Sequence, residues 1–265
     1  MIYAVGTGRV IANAASPWLG RRFEDQSEGW ASRFADRAPV SPGSTVGEEP
    51  VPGMTCGEVG RLSHPFDEIR VRRAVNKTDL EKVYEVRYRG YAKYFSDPMQ
   101  VREPLGQTPG CVLLLATDAQ DHALGTLRIL DRRRGAIELD SYLDVDQLLP
   151  EGQHPVAEAT RYSVPANPAS KWIKLALCKA YFQYCRDTLA KTMLIWIRKC
   201  AEREYQRMLF ERVNSNGGFS HPRLGAVPHQ TWMLDVQTAP ARYRASAYPL
   251  YQLLYEAEHP NIRYD

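Results

Sequence analysis

Apolar and polar residues alternate from Ile69 to Val75, with Ile69, Val71, Arg73 and Val75 on one side, and this period of two predicts a strand. The period then lengthens. Leu80, Val83, Tyr84, Tyr88 and Tyr91 recur at helical spacing, and Thr78-Asp-Leu-Glu81 has the form of a capping box that opens the helix. Cys111 to Thr117 is an unbroken apolar run closed by the turn Asp118-Ala-Gln-Asp121, with Ala123 to Leu130 as its hairpin partner. Val156 to Val164 predicts a further strand. Ser170 to Thr188 predicts a long helix, capped by Ser170, that buries Trp172, Ile173, Ala176, Leu177, Ala180, Tyr181, Tyr184 and Cys185. A short buried strand at Thr192 to Ile197, a helix over Cys200 to Phe210, a turn at Asn214 to Gly218, a strand at Thr231 to Val236 and a closing helix over Tyr243 to Glu258 follow.

An early hairpin followed by a strand-helix-strand unit predicts an α/β (α+β) domain, a mixed sheet with helices on both faces. The first 60 residues break the pattern. They hold nine of the 18 glycines, five prolines and no lysine, and the stretch from Pro39 to Pro50 excludes a helix or a central strand. We therefore expect a disordered extension over residues 1–62 and one domain over 63–265.

Composition narrows the function. With 44% apolar and 25% charged residues the chain can bury a full core, and a net charge of +3 is too small to indicate nucleic acid. No run approaches the ~18 apolar residues of a membrane span. Met1 to Pro17 has no basic region like that of a signal peptide. Five cysteines without a C-x-x-C pair read as reduced thiols, which predicts a cytoplasmic protein. Six scattered histidines give no metal spacing, so no metal is expected, and no nucleophile-elbow, Walker or dinucleotide motif occurs.

What remains is a set of charges inside apolar elements. Arg87 lies seven residues after Leu80 and four after Val83, on the apolar face of its helix. Arg128 lies within the strand Leu124-Gly-Thr-Leu-Arg-Ile-Leu130. Glu158 and Arg161 share the strand at Val156 to Val164; strand parity places them on opposite faces, and a β-bulge between them would bring them to one. A buried guanidinium stays charged and requires an anionic partner, so each is read either as a structural ion pair or as part of a polar ligand cavity. The run Arg132-Arg-Arg134 reads as a solvated turn.

These motifs resemble the acyl-homoserine lactone synthases and, more closely, the long-chain N-acyl amino acid synthases. Arg87 and Tyr91 match an Arg with an aromatic four residues on; Gly125-Thr-Leu-Arg128 matches a Gly-x-x-Arg strand; Glu158-Ala-Thr-Arg161-Tyr162, continuing Ser163-Val164, matches a Glu-x-x-Arg-aromatic strand. The chain lacks those synthases' Trp after the first helix, offering Lys93-Tyr-Phe-Ser96, and their acidic pair between Asp97 and Gly110, which favours the amino acid branch.

The resemblance implies a GNAT-like, mostly antiparallel sheet splayed at a bulged strand near 158–164. It also implies transfer of a fatty acyl group to the amine of an amino acid, with Glu158 as general base. Arg87, Arg128, Arg161 and Tyr91 would then bind the acceptor, and Tyr162, Ser163 and Val164 would line the donor thioester and oxyanion site. The turn Pro165-Ala-Asn-Pro-Ala-Ser170 has no glycine and two prolines, unlike a coenzyme A pyrophosphate cradle. The implied donor is accordingly the phosphopantetheine thioester of an acyl carrier protein, docked at Lys171 and Lys174, with coenzyme A as the less favoured alternative and no other cofactor bound. The alternatives are lactone synthesis from S-adenosylmethionine and a non-catalytic scaffold that binds acyl carrier or lipid.

A chain truncated to begin near Gly60 is expected to fold and keep full activity, as judged by circular dichroism and turnover; loss of either moves the domain boundary upstream.

Overall fold

The structure, a computed structural model, describes residues 66–91, 108–213, 218–220 and 228–264. The expected extension over 1–62 and most of the turn at Asn214 lie outside the described residues.

The chain runs β1 (Arg70–Arg73), α1 (Lys77–Tyr91), β2 (Cys111–Thr117), β3 (Ala123–Asp131), a short α2 (Val145–Leu148), β4 (Val156–Ser163), α3 (Ser170–Asp187), β5 (Thr192–Arg198), α4 (Glu202–Arg207), β6 (Glu211–Arg212), β7 (Phe219–Ser220), β8 (Pro228–Asp235) and α5 (Ala239–Ala245). The strands form one sheet in the order β1-β2-β3-β4-β5-β8-β6, with β7 also on β8. Every pairing is antiparallel except β4 with β5. This is the expected GNAT-like mixed sheet with helices on both faces.

The unbroken apolar run of β2 has a simple cause: both of its faces are covered. Leu113 and Leu115 pack with Val83 and Val86 of α1, while Val112, Leu114 and Ala116 join the core that α3 builds on the opposite face with Ile173, Ala176, Leu177 and Ala180. Gly125 of β3 admits α3, because a Cβ there would lie 2.7 Å from Cγ2 of Ile173. The glycine of the Gly-x-x-Arg motif thus serves helix packing.

Several local expectations are corrected. Thr78 does not cap α1. Asn76, two residues earlier, accepts the Asp79 amide at 2.8 Å, and the Asp79 carboxylate bridges to Arg72 at 2.7 Å. The buried stripe of α1 is Asp79, Val83, Val86 and Arg87, and Tyr88 is half exposed because that stripe faces the β2–β3 hairpin. Val75 is exposed too, since β1 ends at Arg73.

Ser170 does not cap α3; its hydroxyl turns back to accept the Asn167 amide at 2.7 Å. The closing helix is two pieces, α5 and a π-helical turn at Gln252–Glu256, because Ala247 adopts a left-handed φ of 48° and Pro249 cannot continue a helix. Buried Lys179 donates to the carbonyls of Leu253, Leu254 and Ala257 at 2.5, 3.2 and 2.7 Å, satisfying acceptors that the second piece leaves open. The chain then returns to the edge of the sheet, where the Val71 amide donates to Asn261 and the Arg263 amide to Val71.

Two breaks in the sheet flank the second half of β4. Parallel pairing of β4 with β5 ends at Ala159 and Ile195, so the strands part beyond it. On its other side β4 pairs Thr160 with Arg128 but Ser163 with Thr126, one residue too many in β4, and Arg161 takes up the excess at a φ of 53°. The expected bulge and splay are therefore both present, and α1 rests on them. Ser163 Oγ donates to the Val86 carbonyl at 3.1 Å, and a Cβ on Gly90 would clash with that Oγ.

Gly90→Ala should therefore destabilise the fold by ~1–3 kcal/mol in urea unfolding, although alanine is the better helix former by ~1 kcal/mol. Adding Ser163→Ala should recover part of the loss; if the single variant is more stable than wild type, the contact between α1 and the bulge is not tight.

Candidate active site on the bulged strand

Glu158 sits in the middle of β4, opposite Leu130 on β3 and Leu194 on β5, and is wholly buried. Above it runs the segment that joins β3 to β4. Ile137, Leu139, Val145 and Leu149 of this segment bury themselves against Leu130, Val156, Leu194 and Val213. The packing brings the start of a single 3-10 turn, Leu139–Ser141, over the carboxyl. Amides at the start of such a turn have no partner within it. Here Glu158 Oε2 accepts from the amides of Glu138 at 2.6 Å and Leu139 at 3.3 Å, and Oε1 accepts from the Trp196 indole of β5 at 2.7 Å.

Burial, and after it the neighbouring charge of Glu138, push the Glu158 carboxyl up to about 7, while the two amides and the indole act in the opposite direction. A carboxyl so placed exchanges its proton near neutral pH.

The arginines converge on Glu138. Arg128 reaches across from β3, donates to Thr160 Oγ1 at 2.9 Å and pairs with Glu138 Oε2. Arg161, returned to the Glu158 face by the bulge, pairs with Glu138 Oε1 at 2.8 Å. Both side chains are slightly exposed, 13% for Arg128 and 16% for Arg161. Arg87 is 1% exposed on the sheet-facing side of α1, above the same face of β3 and β4. The Tyr91 hydroxyl donates to the Tyr162 carbonyl, fixing the end of α1 to the bulge.

The other expected site residues divide. Ser163 lies under α1, whereas Tyr162 and Val164 pack against the core on the α3 face; Val164 is one of the contacts Gly125 would meet with a Cβ. Tyr162 lies among Tyr205, Glu204 and Cys178, and burial holds its hydroxyl protonated. Burial also pushes the Cys178 thiol up to about 12, so it is not a nucleophile near neutral pH. Lys171 places its ammonium 4.4 Å from the Trp172 ring centroid, and Lys174 pairs with Glu204 at 3.8 Å; both are away from Glu158.

The Arg132 to Arg134 run is not merely solvated. Arg132 pairs with Asp140 and Asp146, and Arg133 with Asp131. Among the described residues no group of three or more His, Cys, Asp or Glu could hold a metal ion, and no helix is long and apolar enough to cross a membrane.

Two site residues escaped the sequence. Trp196 lies in an apolar strand, where its indole looks like one more core ring. Glu138 follows Gly-Ala-Ile, in a stretch that reads as a loop. The available signal was an acidic residue flanked by two apolar ones that turn out to be buried, Ile137 and Leu139.

Among solved structures, the fold is similar to that of FeeM, an N-acyl amino acid synthase from uncultured soil microbes, at a TM-score of 0.53 and 16% identity, over 65% of this chain and 93% of that one. The fold is that of the N-acyl amino acid and acyl-homoserine lactone synthases. The coenzyme A-dependent lactone synthases MesI (TM-score 0.51, 15% identity, 73% of this chain and 98% of that one) and BjaI (0.50, 15%, 74% and 93%), the latter solved with S-adenosylmethionine and isopentyl-CoA, share it. No protein-family model matches the chain, and no curated protein matches its sequence.

A carboxyl raised from 4.5 to about 7 stabilises the fold fully below pH 4.5, and that contribution is lost as pH rises through 7. The swing is on the order of 3 kcal/mol. Glu158→Gln should abolish this part of the decline in urea midpoint between pH 4.5 and 8, whatever its effect on stability at any one pH. An identical decline in the variant would show that Glu158 ionises normally.

Proposed function

We propose that the protein is an N-acyltransferase that joins a fatty acyl group from an acyl carrier protein thioester to the amine of an amino acid. What carries this reading is Glu158: a wholly buried carboxyl that titrates near neutrality, beside the point where β4 and β5 part. A base poised near the working pH suits taking up the proton that an amine sheds as it attacks a carbonyl, a contribution of typically ~10²–10⁴-fold.

The donor thioester lies along Arg161 to Val164 in the opening between the strands. The acceptor amine attacks the thioester carbonyl, its proton passes to Glu158 directly or through water, and the carbonyl oxygen becomes an oxyanion held by the amide of Tyr162 or Ser163. Collapse of the adduct expels the pantetheine thiolate, which takes up a proton. Arg128 and Arg161, the two partly exposed guanidiniums, receive the acceptor carboxylate. Arg87 and Tyr91 hold α1 over the site. No enzyme thiol takes part, in keeping with the raised Cys178.

The turn before α3 favours a carrier protein over coenzyme A. Pro165 and Pro168 have no amide hydrogen. Of the four amides between 165 and 170, that of Asn167 is taken by Ser170 Oγ, that of Ala169 by Asn167 Oδ1, and that of Ser170 by the Asn167 carbonyl. A turn that uses its own amides in this way is a poor pyrophosphate cradle.

Incubation with carrier-bound acyl thioesters and mixed amino acids, read by mass spectrometry, should yield an N-acyl amino acid. An acyl lactone formed from S-adenosylmethionine would make the protein a lactone synthase, and no product from any donor would leave a binding scaffold. Glu158→Gln should lower kcat by ~10²–10⁴. Reversing Lys171 and Lys174 to Glu should raise KM for the acidic carrier several-fold and leave a short pantetheine thioester nearly unaffected, a comparison that also controls for the lost Lys174–Glu204 pair. Faster turnover with acyl-coenzyme A than with the carrier overturns the donor assignment.

A further inference from the structure

We infer that Glu138 is the positioning residue of this site, holding Glu158 through its main chain and both Arg128 and Arg161 through its side chain. The inference rests on the acyltransferase reading and adds to it a residue that the sequence motifs do not include. Its basis is the geometry of one short segment. The Glu138 amide donates to Glu158 Oε2 at 2.6 Å. Its carboxylate, 12% exposed, gives one oxygen to Arg128 of β3 and the other to Arg161 of the β4 bulge. The residue is therefore a strut across the register shift between the two strands.

Two consequences follow. A non-glycine residue at φ of 53° is strained and persists only where its surroundings hold it. The Glu138 pair fastens the side chain of the strained residue, and so keeps Arg161 on the Glu158 face. The charge of Glu138 also lies beside Glu158. Without it, two guanidiniums would converge with no carboxylate between them, and Glu158 would lose the anion that opposes its ionisation.

The groups facing Glu158 are few. β5 presents the Trp196 indole, with His229 of β8 behind it at 5.1 Å between ring centroids. The overlying segment presents Glu138, β3 presents Arg128, β4 itself presents Arg161, and α1 places Arg87 over the same face. The Tyr181 hydroxyl, from α3, bonds to the backbone of Ala157 and Leu194 on the far side of the sheet. Of these, Glu138 is the carboxylate, and its removal acts on Glu158 in one direction: ionisation moves to lower pH.

Glu138→Gln keeps the main-chain amide and removes the charge. In the acyl-transfer assay it should lower kcat at least tenfold, leave acceptor KM unchanged or lower, and shift the acid limb of kcat/KM down by at least half a pH unit. Glu138→Asp keeps the charge and should return the limb to the wild-type position. Wild-type kcat in Glu138→Gln overturns the inference, as does a loss of kcat with the limb unmoved, which would make Glu138 a brace only.

The Glu158 carboxyl band, isolated as the infrared difference between each protein and its Glu158→Gln counterpart and followed against pH, gives the same test without substrate. It should titrate lower in Glu138→Gln than in wild type. If Glu138→Gln does not fold, a Glu158 band in Glu138→Asp displaced by more than half a unit from wild type overturns the inference, and a band in place upholds it. Should wild type form no acyl amide, the functional reading fails while the infrared titration still decides whether Glu138 controls Glu158.

Discussion

Removing a carboxyl from water costs several kcal/mol unless hydrogen-bond donors replace the water, and Glu158 is removed completely. Its two oxygens collect two amides from the segment above and an indole from the strand beside it. Each donor demands structure of its own. The amides exist as donors because a 3-10 turn begins at Leu139, and the turn stays over β4 because Ile137, Leu139, Val145 and Leu149 are buried beneath it. The indole is in reach because β5 runs parallel to β4 as far as Ala159. The carboxyl therefore ties together the β3–β4 connection, the bulge and the central parallel pair.

The same arrangement leaves the group poised rather than fixed. Burial and Glu138 favour the neutral carboxyl; three donors favour the anion. A salt bridge directly to Glu158 would remove this balance by holding it ionised. The fold instead gives both partly exposed arginines to Glu138, one residue away in space, so that Glu158 feels the cluster through a carboxylate.

The motif residues lie together in part. Arg128, Glu158 and Arg161 meet around one carboxylate, and the bulge that allows it lies where Glu-x-x-Arg parity required it. Tyr162 and Val164, adjacent in sequence, belong to the opposite face and to the core. Lys171 and Lys174 have neighbours of their own within or beside α3. The apolar stripe of α1 was misplaced by about a quarter of a turn, since tyrosines can cover a helix flank while Val86 and Arg87 face the sheet.

By itself the sequence determined the order of the longer elements, the unbroken apolar run of β2 and the strands that carry charge, because periods of two and 3.6 and unbroken apolar runs are local consequences of which face is buried. Only the tertiary structure decided what those charges meet. Glu138 and Glu158 are 20 residues apart, and Trp196 lies 38 beyond Glu158. Their association depends on sheet order, on one parallel pairing and on one extra residue in β4, and none of these leaves a periodic trace in the chain. A loop glutamate and a strand tryptophan have the same local pattern whether or not they close over a buried carboxyl; the difference is made by the strands that bring them within hydrogen-bonding distance.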